Sequence, residues 1–75
     1  MFIADKRHFN NPVNLNQVSG IFAPDTPSKK HQRYYIRFII GEKNDIYWFY
    51  DTKDERDFIY DNYIFPRFVN LIGEK

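Results

Sequence analysis

Two histidines, His8 and His31, are the only imidazoles in the 75-residue chain, and imidazole is the side chain best suited to moving protons near neutral pH. Each lies in a polar, basic stretch, "DKRHF" and "SKKHQ", where a solvated histidine is the ordinary outcome. Ser19 and Ser28 lack the glycine context of a nucleophile elbow, and three glycines in all leave no phosphate-cradling loop. Asp51 and Asp54 flank the start of a predicted helix, where carboxylates serve capping more often than acid–base catalysis. Asp54, Asp57 and Asp61 fall on one side of that helix and could loosely hold a divalent cation, but no closing ligand set accompanies them. The chain has no cysteine, which removes disulfides and thiolate zinc sites. The expectation is a non-enzyme: no catalytic residue, no metal site and no cofactor.

With no catalytic constellation to place, the elements themselves carry the information. The segment "RYYIRFIIGEKNDIYWFYD", residues 33–51, reads as two strands joined by a turn. A five-residue loop at Gly41–Asp45 would set Ile40 opposite Ile46, Phe38 opposite Trp48 and Ile36 opposite Tyr50. One face then carries Tyr34, Ile36, Phe38, Ile40, Ile46, Trp48 and Tyr50, all apolar or aromatic. The other carries Arg33, Tyr35, Arg37, Ile39, Tyr47, Phe49 and Asp51. A loop one residue shorter would flip one strand and leave no clean core face.

Upstream, "NNP" opens a turn before alternation begins at Val13 and Leu15, and a strand is predicted at Val18–Ala23. Residues 24–32, with two prolines and a polar, basic run, are predicted to be a mobile loop. Downstream, Thr52 with Glu55 three residues on makes a capping box, and Pro66 is expected to close the helix. Projected at about 100° per residue, Ile59, Tyr60, Tyr63 and Ile64 share a stripe that should cover the apolar sheet face. Phe58 and Phe65 fall outside it. The tail, residues 67–75, fits a last helical turn or an edge strand equally well.

The expected fold is a single α+β domain spanning residues 1–75: a small antiparallel sheet of three to four strands with one C-terminal helix packed on one face. So short a chain has little core, and its eight Phe, six Tyr and one Trp compensate, each able to bury about 150–250 Å². Self-association is another common source of stability at this size, which makes a homodimer or other homo-oligomer an expectation.

Net charge is +1, which excludes a strongly basic nucleic-acid binder and an acidic mimic alike. The halves differ: residues 1–37 hold six Lys/Arg against two Asp, a net of +4, and residues 38–75 hold five basic against eight acidic groups, a net of −3. That division reads as a basic footprint with an acidic back, as two halves attracting one another within a dimer, or as a plain solvated surface. No stretch is apolar enough for a signal peptide or a membrane span, and the expected location is cytoplasmic.

The second sheet face, Arg33, Tyr35, Arg37, Ile39, Tyr47 and Phe49, is too apolar for ordinary solvent exposure. Three readings compete for it. It could bind a protein partner or a second copy, because Tyr, Phe and Arg dominate interface hot spots; a regulator or inhibitor role suits so small a chain. It could bind single-stranded DNA or RNA by base stacking, with Lys29, Lys30, His31, Arg33 and Arg37 meeting phosphates. Or the chain could cover it itself with Phe2, Ile3, Phe9, Phe68, Val69 and Leu71.

Overall fold

A computed structural model describes residues 2–41 and 45–73. The predicted hairpin is its centre. Tyr34–Ile39 (β4) and Ile46–Tyr50 (β5) pair antiparallel, and Gly20–Phe22 (β3) pairs with the free side of β4, giving a three-stranded sheet in the order β3-β4-β5. Two shorter strands, Phe2–Ile3 (β1) and Val13–Asn14 (β2), form a separate antiparallel ribbon. Lys53–Ile59 (α1), a π-helical turn at Tyr60–Ile64 and Phe65–Gly73 (α2) follow as one C-terminal rod. The small antiparallel sheet with a helix on one face is therefore present, with the ribbon added.

The hairpin register differs from the expected one by two residues. Phe38 pairs with Ile46, Ile36 with Trp48 and Tyr34 with Tyr50. Because side chains alternate with period two, a slip of two exchanges partners and leaves every side chain on its predicted face. Part of the expected Gly41–Asp45 loop, residues 42–44, lies outside the described residues. Gly41 leads into it with φ of 49°, a left-handed conformation that glycine adopts without a Cβ clash. The strand expected at Val18–Ala23 is shorter, Gly20–Phe22. Its approach is held by the Val18 amide donating to the Leu15 carbonyl at 3.2 Å and the Ser19 amide to the Ile39 carbonyl at 2.8 Å.

The helix starts where its cap predicts: the Glu55 amide donates to Thr52 Oγ1 at 3.2 Å. The Glu55 carboxylate meets Arg7 instead, at 3.0 Å. Pro66 does not end the helix. At Tyr60–Ile64 the turn widens, with the Phe65 amide reaching back to the Tyr60 carbonyl, and Pro66 becomes the second residue of α2. A proline is tolerated in a first turn, where its missing N–H matters least. The tail is thus helical through Gly73, and residues 74–75 lie outside the described residues.

The wide turn also rephases the rod. In an unbroken α-helix Arg56 would sit about 80° from Ile64 and about 120° from Phe68. One residue absorbed by the π turn brings both separations to about 20°. Ile64 is fully buried, Arg56 nearly so, and Phe68 packs against the same core.

That core comprises Ile36, Phe38, Ile40, Trp48 and Tyr50 from the predicted face, joined by Ile3, Val13, Leu15 and Ile64. Tyr34 and Ile46, from the same face, are half-buried. Trp48 Nε1 donates to the Asn11 carbonyl at 2.9 Å, and the His8 ring stacks on the indole at 5.2 Å between centroids. His8 is therefore not a solvated histidine: its side chain is 14% exposed, and Nδ1 meets Asp5 Oδ1 at 2.6 Å. The Tyr50 hydroxyl donates to the other Asp5 oxygen, and the Tyr63 hydroxyl donates to the Ala4 carbonyl at 3.1 Å. The N-terminal segment is thus fastened to the helix side of the sheet. Of the residues considered as cover for the outer face, Ile3 and Phe68 join the core on that inner side. Phe2, Phe9 and Val69 are exposed, and the Leu71 side chain lies outside those described.

Burial first, and then the hydrogen bond to Asp5, push the Tyr50 hydroxyl far above its ordinary value of 10.0. The unfolded chain releases this proton near pH 10 and the folded chain keeps it. Tyr50 thus stabilises the fold fully below that pH, and the contribution falls by about 1.4 kcal/mol per pH unit above it. Urea unfolding between pH 9 and 11.5 should show this alkaline limb flattened in Tyr50→Phe. An unchanged slope would place the titration elsewhere.

Candidate interaction surface

The outer face of the sheet is built by alternation in β4 and β5 and by the pairing of β3. Tyr35 lies opposite Phe49 and Arg37 opposite Tyr47. Across β4, Phe22 lies opposite Arg37 and Gly20 opposite Ile39. Directly opposed residues share a face, so Phe22, Arg37 and Tyr47 make one row. Tyr35, Tyr47 and Phe49 form a contiguous ring cluster. Centroids are 5.5 Å apart for Tyr35–Tyr47, 6.0 Å for Tyr35–Phe49 and 5.8 Å for Tyr47–Phe49, the last pair within 9° of parallel. Tyr47 is 39% and Phe22 51% exposed, while Tyr35, Ile39 and Phe49 are half-buried.

The two arginines of the face lie over its rings, Arg33 over Phe49 and Arg37 over Tyr47, each 5.9 Å from the centroid. Both are also paired within the chain. Arg37 reaches Asp45 at 2.6 Å through Nη2 and at 2.7 Å through Nε, and this hydrogen bond raises its pKa. Arg33 Nη2 meets Asp51 at 3.2 Å, while its buried Nε has no hydrogen-bond partner among the described residues. Arg7 also meets Asp51 at 3.2 Å, and Arg7 first, then Arg33, holds that carboxyl below its ordinary range. Together with Arg7–Glu55, these pairs join the basic first half to the acidic second half inside one molecule, while Lys53–Asp25 crosses in the opposite sense. A basic footprint is thereby largely neutralised at the sheet.

Beside the rings stands the 28–31 loop. The Ser28 amide donates to the Arg33 carbonyl at 2.9 Å, the Gln32 amide to the Ser28 carbonyl at 2.7 Å and the His31 amide to Ser28 Oγ at 2.9 Å. Gln32 closes this turn with φ of 53°, an uncommon conformation for a residue with a side chain. His31 packs edge-on against Phe49, 4.8 Å between centroids. The loop and the three rings bound an open groove of about 490 Å³. Lys29 and Lys30 stand exposed on its rim, and neither forms an ion pair among the described residues. The predicted surface residues are thus together, but Arg33 and Arg37 are occupied and Lys29 and Lys30 are free.

Two residues escaped the sequence reading. Phe22 extends the aromatic face, and its place depends on β3 pairing with β4, which no local pattern announces. Arg56 is 1% exposed, donating from Nη1 to the Tyr35 carbonyl at 2.8 Å and from Nε to Asp57 at 2.8 Å. A signal existed for it: on the helical projection Arg56 falls in the middle of the Ile59–Ile64 stripe. Asp57 is further engaged by Lys53 at 2.6 Å. Among the described residues no three His, Asp or Glu side chains converge on a metal position. A second concavity, about 560 Å³, lies between the N-terminal segment and the helix, with Phe58, Ile59 and Tyr63 on its walls. Phe58 is 66% and Phe65 48% exposed, as their position off the stripe predicts.

Fold and surface together define a small α+β domain with one sheet face closed by a helix and the other open. Among the described residues no helix is long and apolar enough to cross a membrane. Comparison with known protein families, with curated proteins and with solved structures found no match.

Proposed function

We propose that this chain is a small, non-enzymatic protein-interaction module of the cytoplasm, and that its outer sheet face meets the partner, either another protein or a second copy. One observation carries the reading: an aromatic surface of Phe22, Tyr35, Tyr47 and Phe49 whose arginines are already paired with Asp45 and Asp51. Aromatic rings with neutralised arginines bury well against another protein, where unpaired charge would have to be desolvated. Single-stranded nucleic acid is the second reading, favoured by Lys29, Lys30 and His31 beside rings on which a base can stack. It requires phosphates to displace two carboxylates or to rely on the loop alone.

The test is a photoreactive benzoylphenylalanine at position 47, with a control at Asn62 on the exposed helix surface, irradiated in cells that make the protein. The expected result is discrete protein adducts, of another chain or of twice the mass, from position 47 only. Nucleic-acid adducts alone, or the same adducts from both positions, would overturn the reading.

A further inference from the structure

The paired arginines and free lysines of the outer face bear on what the partner must bring. We infer that the groove between the 28–31 loop and the rings of Tyr35, Tyr47 and Phe49 takes an aromatic or large apolar side chain from an acidic peptide segment, whose flanking carboxylates meet Lys29 and Lys30. This rests on the protein-interaction reading and adds to it the chemistry of the bound segment.

Three features converge. The groove, about 490 Å³, has the size of ordinary ligand sites, about 300–1,000 Å³, with an apolar floor and polar groups at the rim. Its loop wall is held by three hydrogen bonds to or from Ser28 and braced by His31 on Phe49, which lowers the ordering cost of binding. Its charge is one-sided: among the described residues Lys29 and Lys30 form no ion pair, whereas Arg33 and Arg37 carry Asp51 and Asp45. An extended peptide can place one or two carboxylates at that rim and nothing charged beyond it. A nucleic-acid strand carries a phosphate at every step, and its path along the face would meet Asp51, whose side chain is 65% exposed.

The experiment follows amide resonances of the full chain during titration with a blocked heptapeptide, one phenylalanine flanked by a single glutamate on each side and by serine and glycine beyond. Saturable shifts are expected at residues 28–31, 35, 47 and 49, weakening with salt. The glutamine-for-glutamate peptide should bind about fivefold more weakly, as two exposed ion pairs would contribute. The alanine-for-phenylalanine peptide should bind more weakly still. The Lys29→Glu/Lys30→Glu double variant, altered only at exposed side chains, should keep its melting temperature and lose the same fivefold or more. The inference is overturned by the absence of saturable shifts at millimolar peptide, by equal binding of the glutamine or alanine peptide, or by tighter binding of an eight-residue oligothymidylate at physiological salt. Protein adducts at position 47 without peptide binding would remove this inference alone; absence of both would remove the interaction reading with it.

Discussion

Arg56→Ala is expected to destabilise the fold by about 3 kcal/mol, lowering the melting temperature by roughly 12–24 °C. The guanidinium is the only fully buried charged group among the described residues, and it ties α1 to the sheet by donating to the Tyr35 carbonyl. A hydrogen bond from a charged donor contributes about 1.5–3 kcal/mol, and removing the long side chain leaves an unfilled space beneath the helix. Asp57 retains Lys53, so no stranded carboxylate adds to the loss. Arg56→Met restores the volume but not the donor and should recover about half of the stability. Thermal unfolding of the three proteins measures both effects. A loss below about 1 kcal/mol in the alanine variant would mean the tie is redundant.

Trp48→Ala should do more. The indole joins the sheet to the segment between β1 and β2: Phe38 of β4 meets it edge-on at 4.8 Å, His8 stacks on it, and the Asn11 carbonyl accepts its N–H. Truncating a buried tryptophan costs about 3–5 kcal/mol, against a total of about 4–11 kcal/mol for a domain of this length. The variant is expected to be largely unfolded at 37 °C. Trp48→Phe keeps a ring and loses the N–H, whose acceptor sits on the exposed residue Asn11 and turns to water, so about 1–2 kcal/mol is expected. Since Trp48 is the only tryptophan, unfolding must be followed by circular dichroism. A cooperative transition of wild-type midpoint in Trp48→Ala would show that the N-terminal segment and the sheet are held together elsewhere.

The two faces of the hairpin were legible in the sequence because alternation is a local property and survives a two-residue slip. The helix start was legible for the same reason, with Thr52 and Glu55 three residues apart. What was not legible depended on long-range pairing. Phe22 acquires its role only when β3 docks on β4, and His8 leaves solvent only because Asp5 and Trp48 meet it in the fold. Arg56 stands on the apolar stripe in sequence, but a charged side chain gives no local sign that it will be buried. The groove was half legible: Lys29, Lys30 and His31 stood next to the face in sequence, but the distinction between free lysines and occupied arginines needed Asp45 and Asp51 in space. Pro66 misled because its usual effect assumes an unbroken α-helix before it.

The wide turn at Tyr60–Ile64 separates the rod's length from its facing. Counted as residues, the rod is an ordinary helix plus one, and the widened turn that takes up the surplus residue is what lets Ile64 and Phe68 stand in line with Arg56. Deleting one residue of the turn would remove the surplus and keep the facing, but winding all of its residues as regular α-helix would swing the second half by about 100°. Phe68 would leave the core, and the sheet would lose that cover. At this length regularity and correct assembly are opposed, and a redesign that idealised the helix without shortening it by one residue would unmake the domain it was meant to improve.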